Sequence, residues 1–213
     1  MPTLAKICGL STPETMSAAL DGGAAFVGFI FFGKSPRDIT PEAAARLAQA
    51  ARGKARVVAV TVDADNDLLD RLAAVLKPDL IQFHGRETPA RVREATQRTG
   101  AGAIKVMPVA ESRDIEAALA YESVVEHLMF EARPAPDAAL PGGMGARFDW
   151  TLLDRRKFER PHFLAGGLDP WNLSEAVRQS GAPLVDVSSG VERGPGIKDP
   201  ALITAFLDAV RRT

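Results

Sequence analysis

The sequence predicts an α/β fold: a (β/α)₈ TIM barrel forming a single compact domain over residues 1–213. Three features point there. Short apolar runs alternate with amphipathic, often alanine-rich runs along the whole chain. Eight such pairs can be counted, each roughly 25 to 30 residues long, and they use up the sequence. Runs such as Ala25-Phe26-Val27-Gly28-Phe29-Ile30-Phe31 are near-continuously apolar, as in strands buried on both faces and therefore parallel. Strand-helix alternation implies crossovers of one hand, and eight units close into a barrel. At 213 residues the chain is shorter than the ~250 typical of that fold, so its helices and loops must be economical. The alternative is an open doubly wound sheet of five or six strands.

Leu4 to Cys8 reads as the first strand. Ser11-Thr12-Pro13-Glu14 supplies a cap with proline in the first turn, Thr15 to Leu20 the helix, and Gly22-Gly23 its end. The second strand, Ala25 to Phe31, runs into the polar loop Phe32 to Arg37. Thr40-Pro41-Glu42 then starts a helix through Gln49. Arg56–Val62 is the third strand and Asp67–Leu76 its helix. Leu80–Phe83 and Pro89–Thr99 form the fourth pair, Ala103–Val109 and Ser112–Ala120 the fifth. The sixth strand spans Val124–Phe130 and ends at Glu131. A loop rich in proline and glycine follows, Ala132–Arg147, then a short helix capped by Asp149 and ending at Leu153. His162–Ala165 is the seventh strand, running into Gly166-Gly167, and Pro170–Gln179 its helix. Pro183–Val187 is the eighth strand, and Asp199-Pro200 opens a last helix through Val210. The stretch Glu192–Lys198 suits a short extra helical turn or a lid.

Composition excludes several classes. The chain is 46% hydrophobic and 25% charged, with a formal net charge of -1 and no basic stretch, so nucleic-acid binding lacks its electrostatic footprint. The single cysteine rules out an internal disulfide framework and fits a reducing compartment. No signal-peptide pattern and no apolar run near ~20 residues is present, so the expected location is cytoplasmic, with no membrane partner. His84, His127 and His162 lack metal-ligand spacing, and no cofactor is expected.

In such a barrel the site lies at the C-terminal strand ends. Cys8, Arg37, His84, Glu131, Gly166-Gly167 and Ser188-Ser189-Gly190 then surround one mouth. The loops after strands seven and eight often bind phosphate in this fold, and glycine lets backbone N–H groups approach an anion closely. Cys8 is either a small buried hydrophobe or a base. A free thiol has a pKa of roughly 8.5 that a neighbouring cation lowers. Lys6, two residues earlier on the same strand face, can supply that field, or be a buried lysine satisfied by Asp186. Glu131 is an acid kept protonated by burial, or a partner for Lys6. Arg37 offers a bidentate fork to a second anion, or is a solvated loop arginine. Gln82 and His84 can bond substrate hydroxyls, or His84 merely caps its loop. A base and an acid across a mouth that holds phosphate suggest proton transfer between adjacent carbons.

Several segments together resemble one family. They are Lys6-Ile7-Cys8-Gly9, Phe29 through Lys34-Ser35-Pro36-Arg37, Gln82-Phe83-His84-Gly85, and Pro141-Gly142-Gly143-Met144-Gly145 followed by Phe148-Asp149-Trp150. Leu164-Ala165-Gly166-Gly167-Leu168 and Asp186 through Glu192, then Pro195–Asp199, complete the set. The chain is similar over essentially its whole length to the phosphoribosylanthranilate isomerase family of tryptophan biosynthesis. The resemblance implies a cofactor-free Amadori rearrangement of N-(5-phosphoribosyl)anthranilate. Cys8 matches the family base and Glu131 the family acid. Arg37 matches the arginine that binds the anthranilate carboxylate, and Gly166, Gly167, Ser188, Ser189 and Gly190 match the phosphate loops. Lys6, Gln82, His84, Gly143 and Asp186 complete the expected substrate-binding set.

Two positions depart from the family pattern. The family acid is usually an aspartate where this chain has Glu131, and Met144 stands where a threonine is common. The alternatives are another phosphosugar isomerase, an aldolase using Lys6 as a Schiff base, or a non-catalytic metabolite-binding barrel. A monomer and a homodimer are both compatible with the sequence.

Overall fold

The structure, a computed structural model, describes residues 2–134, 142, 145–153 and 158–213. Eight parallel strands close in chain order: β1 (Leu4–Cys8), β2 (Phe26–Phe31), β3 (Arg56–Thr61), β4 (Leu80–Phe83), β5 (Gly102–Val109), β6 (His127–Ala132), β7 (His162–Leu164) and β8 (Leu184–Val187). β8 returns to pair with β1, which excludes the open-sheet alternative. The helices are α1 (Pro13–Asp21), α2 (Pro41–Ala48), α3 (Asn66–Arg71), α4 (Pro89–Thr99), α5 (Ser112–Ala117), α6 (Leu173–Ser180) and α7 (Pro200–Val210).

Three helices start by the same local device. Thr12, Thr40 and Thr88 each precede a proline, and each side chain accepts from the backbone N–H three residues on. Proline gives up only an N–H that a first turn leaves unpaired anyway. Asp199 caps α7 before Pro200 in a similar way.

The strands divide their side chains between two apolar layers. Ala5 and Ile7, Leu128 and Phe130, and Val185 and Val187 point outward and pack beneath the helices. Cys8, Phe26, Val58, Val60, Leu80, Ile104, Val106, Met129, Phe163, Ala165 and Leu184 fill the barrel interior. The period of two decides which layer a residue joins. The sulfur of Cys8 is therefore inside the barrel, on the same face as Lys6.

Several boundaries differ from the sequence reading. β6 starts at His127, not Val124, because a 3₁₀ turn over Ala118–Val124 carries Tyr121 to donate to the Glu87 carbonyl. At its other end β6 runs through Glu131, where the sequence reading ends it, to Ala132. α3 ends at Arg71 and widens into a π turn over Leu72–Leu76. α6 begins at Leu173 rather than Pro170, since Asp169 Oδ1 accepts from both Trp171 N and Asn172 N and holds that segment in a turn. The stretch after β8 forms a 3₁₀ turn, Ser189–Val191, and then an antiparallel hairpin, β9 (Glu192–Gly194) with β10 (Ile197–Lys198), where a helical turn was one of the two expectations.

Candidate active site

At the C-terminal ends of the strands a cleft opens, with about 690 Å³ of empty space including its mouth. Cys8, Arg37, Gln82, His84, Glu131, Gly166, Gly167, Asp186, Ser188 and Ser189 line it, with Ile30, Phe32, Val60 and Leu168 as an apolar wall. Of the remaining expected site residues, Gly190 packs against the Leu168 carbonyl, and Lys6 lies fully buried below the floor. Gly143 falls outside the described residues, as do Met144 and Asp137 of the same loop.

Lys6 and Asp186 are register partners on β1 and β8, and Lys6 Nζ donates to Asp186 Oδ1 at 2.7 Å. Burial works against the Lys6 ammonium, but the charges of Asp186 and Cys8 raise its pKa above the usual lysine value. A Cβ added at Gly28, on the neighbouring strand, would sit 3.1 Å from Lys6 Nζ and 3.2 Å from Cys8 Sγ. The missing side chain there leaves room for amine and thiol to meet. The expectation that a cation lowers the thiol pKa is corrected by burial. Desolvation pushes the Cys8 thiol up, and the opposing fields of Lys6 and Lys198 do not cancel it.

Across the cleft, Glu131 Oε2 lies 2.9 Å from His84 Nε2, at ion-pair distance although the ring N–H is off hydrogen-bond alignment. Gln82 Nε2 lies 3.3 Å from His84 Nδ1, which links strand four to the acid. Gln82 Oε1 is buried with no hydrogen-bond partner among the described residues. A Cβ on Gly142 would come within 2.6 Å of His84 Nε2 and 2.7 Å of Glu131 Oε2. Only glycine fits at position 142 beside the pair. The sequence reading singled out its neighbour, Gly143.

Gly166 and Gly167 have φ of +83° and +66°, a left-handed backbone that favours glycine. They turn the chain under the cleft beside Glu131.

Arg37 is buried rather than solvated. Its Nε and Nη2 donate to the two carboxylate oxygens of Glu192 at 2.7 and 2.8 Å, so one edge of its fork is held within the chain. Glu192 Oε1 also accepts from Lys198 Nζ at 2.6 Å. Burial disfavours the Glu192 carboxylate, but Arg37 and Lys198 outweigh it and keep its pKa below the usual range. The sequence reading gave neither Glu192 nor Lys198 a role. An acidic and a basic residue six apart in a Gly-Pro-Gly loop were the available signal.

Among the described residues, no group of three or more His, Cys, Asp or Glu side chains is placed to hold a metal ion. No described helix is long and apolar enough to cross a membrane.

The sequence model of the N-(5'-phosphoribosyl)anthranilate isomerase family matches residues 5–209. An N-(5'-phosphoribosyl)anthranilate isomerase from Caulobacter sp. (strain K31) is 66% identical over 209 residues, covering 98% of each chain. The crystal structure of phosphoribosyl anthranilate isomerase from Thermotoga maritima superposes with a TM-score of 0.87 at 32% identity, covering 99% of this chain and 100% of that one. A phosphoribosyl anthranilate isomerase in complex with reduced 1-(o-carboxyphenylamino)-1-deoxyribulose 5-phosphate gives a TM-score of 0.83 at 30% identity, with the same coverage. By sequence along nearly its full length and by fold, the chain belongs to the N-(5'-phosphoribosyl)anthranilate isomerase family.

Proposed function

We propose that this chain catalyses the isomerisation of N-(5'-phosphoribosyl)anthranilate to 1-(2-carboxyphenylamino)-1-deoxyribulose 5-phosphate, with Glu131 as general acid and Cys8 as general base. One observation carries the assignment of roles: a thiol from β1 and a carboxyl from β6 line a single cleft together with the Gly166-Gly167 and Ser188-Ser189 turns. The phosphate rests on those turns. The anthranilate carboxylate lies toward Arg37, whose guanidinium Glu192 holds in place.

Protonated Glu131 gives its proton to the ribose ring oxygen. The C1–O bond breaks as the anilino nitrogen lends its electron pair, leaving a protonated imine at C1. That positive charge acidifies the C2 proton, which the Cys8 thiolate removes to give an enolamine. Transfer of the hydroxyl proton at C2 to C1 completes the ketone, and the proton gained by Cys8 returns to Glu131 by exchange with water, so the cycle balances without a redox partner. The buried Gln82 Oε1 can accept from a sugar hydroxyl. The single cysteine, free and buried, favours a reducing compartment, and the cytoplasm is the location inferred.

The test follows the loss of phosphoribosylanthranilate fluorescence. The wild type should turn over, and Cys8→Ala and Glu131→Gln should each lose about 10²- to 10⁴-fold in kcat. Near wild-type rates in either variant would remove that residue from the mechanism. An inactive wild type that still binds a reduced product analogue would indicate a binding barrel instead. Glu131→Asp tests whether the longer side chain is optimal: a large gain in kcat would show that glutamate places the acid poorly.

A further inference from the structure

Beyond the acid and the base, a cluster of three buried charges, Arg37, Glu192 and Lys198, lies where the β9–β10 hairpin meets the cleft. Lys198 Nζ makes three contacts there: Ser188 O at 2.9 Å, Ser188 Oγ at 3.1 Å and Glu192 Oε1 at 2.6 Å. Its side chain is 1% exposed, and that of Glu192 is 4%. Glu192 Oε1 accepts from Arg37 Nε as well, and Oε2 from Arg37 Nη2 and Gly196 N. Ser188 and Arg37 both line the cleft, the first just after β8 and the second on the loop after β2. An unbroken chain of side chains thus joins them through two groups, Glu192 and Lys198, that do not line it.

An ammonium has three donors and no acceptor. In the contact between Lys198 and Ser188 Oγ the lysine must donate. The serine's own proton is then directed elsewhere, and the cleft is where an acceptor would meet it. The same Nζ also holds the Ser188 carbonyl, so the residue is clamped at two points.

Arg37 and Lys198 both pair with the one Glu192 carboxylate, so the cluster ties the two sides of the cleft through a single acidic group.

We propose that Lys198 is a positioning residue that couples the two anion-binding ends of the site: it directs the Ser188 hydroxyl at the substrate phosphate and, through Glu192, fixes Arg37 at the carboxylate end. The inference rests on the phosphate and carboxylate placements proposed above.

Lys198→Met removes the three donors and keeps a side chain of similar length, with the Arg37 and Glu192 side chains retained. Inorganic phosphate, used as an inhibitor in the isomerase assay, is the probe. Lys198→Met should raise both the phosphate inhibition constant and KM by about 10- to 100-fold, with kcat falling less than about threefold. Adding Ser188→Ala to that background should weaken phosphate by less than about threefold more, because Lys198 acts through that hydroxyl. If Lys198→Met does not fold, Lys198→Arg keeps the cation but moves its donors off Ser188, and it should raise the phosphate constant in the same direction. A phosphate constant and KM within about twofold of wild type in the folded variant, or full additivity with Ser188→Ala, would overturn the proposal. If phosphate does not compete with substrate in the wild type, the phosphate placement fails first and the role of Lys198 falls with it. Competition in the wild type with no change in the variant removes Lys198 alone.

Discussion

Lys6 Nζ lies 2.7 Å from Asp186 Oδ1, and the two residues face each other as register partners across the seam that closes the barrel. Lys6 is fully buried, so neither charge can be removed without stranding the other. Asp186→Asn should destabilise the fold by about 3–5 kcal/mol, whereas Lys6→Met combined with Asp186→Leu should recover much of that loss. Urea midpoints of the three proteins check this. Equal losses in the single and double variants would show that the pair is not coupled.

Cys8 is the only cysteine, so alkylation by iodoacetamide reports on it alone. Burial raises its pKa, and the thiolate is the reactive form. Alkylation should be slow at neutral pH and rise through an alkaline midpoint above the ordinary thiol value of roughly 8.5. Lys6→Met should move the midpoint further up, since Lys6 opposes the shift. A midpoint below that value in the wild type would mean that the neighbouring cations outweigh desolvation.

Gly142 approaches both His84 and Glu131 more closely than a Cβ allows. Gly142→Ala should push the Glu131 carboxyl aside by up to an ångström and cost about 10²-fold in kcat, with little change in thermal stability. Unchanged kcat would show that the acid tolerates the displacement.

His162 packs edge-on against Phe130 and Phe158, and burial lowers its pKa to about 4. Unfolded, it titrates near 6.5. Between those values the unfolded chain binds the extra proton, so stability is fully present above pH 6.5 and is lost as pH falls toward 4. The loss attributable to this residue is roughly 3 kcal/mol. His162→Phe should flatten that part of the pH dependence. The check is the difference in urea midpoint between wild type and variant at pH 7 and at pH 4, and a constant difference would exclude His162.

Much of this molecule is legible locally. The Thr-Pro pairs at 12–13, 40–41 and 88–89 start helices because a cap needs only a side-chain oxygen and a backbone N–H three residues away. Lys6 and Cys8 share a face because strand side chains alternate. Likewise, counting strand-like runs is enough to place Cys8, Glu131 and the glycine and serine turns at one end of a barrel. Boundaries were less legible where a side chain makes its own turn, as Asp169 does before α6, or where a distant contact draws a segment off its expected path, as Tyr121 does.

By itself, then, the sequence determined the number and order of the eight barrel strands, the shared face of Lys6 and Cys8, and the loops that carry the site. The sequence offered Asp186 as one of several partners for Lys6; only the tertiary structure decided for it, across 180 positions, and decided that Glu192 holds Arg37 across 155 and that burial outweighs the cations at Cys8. Periodicity and caps act within a few residues, whereas these contacts exist only once the barrel has closed, its register is fixed and water has been excluded.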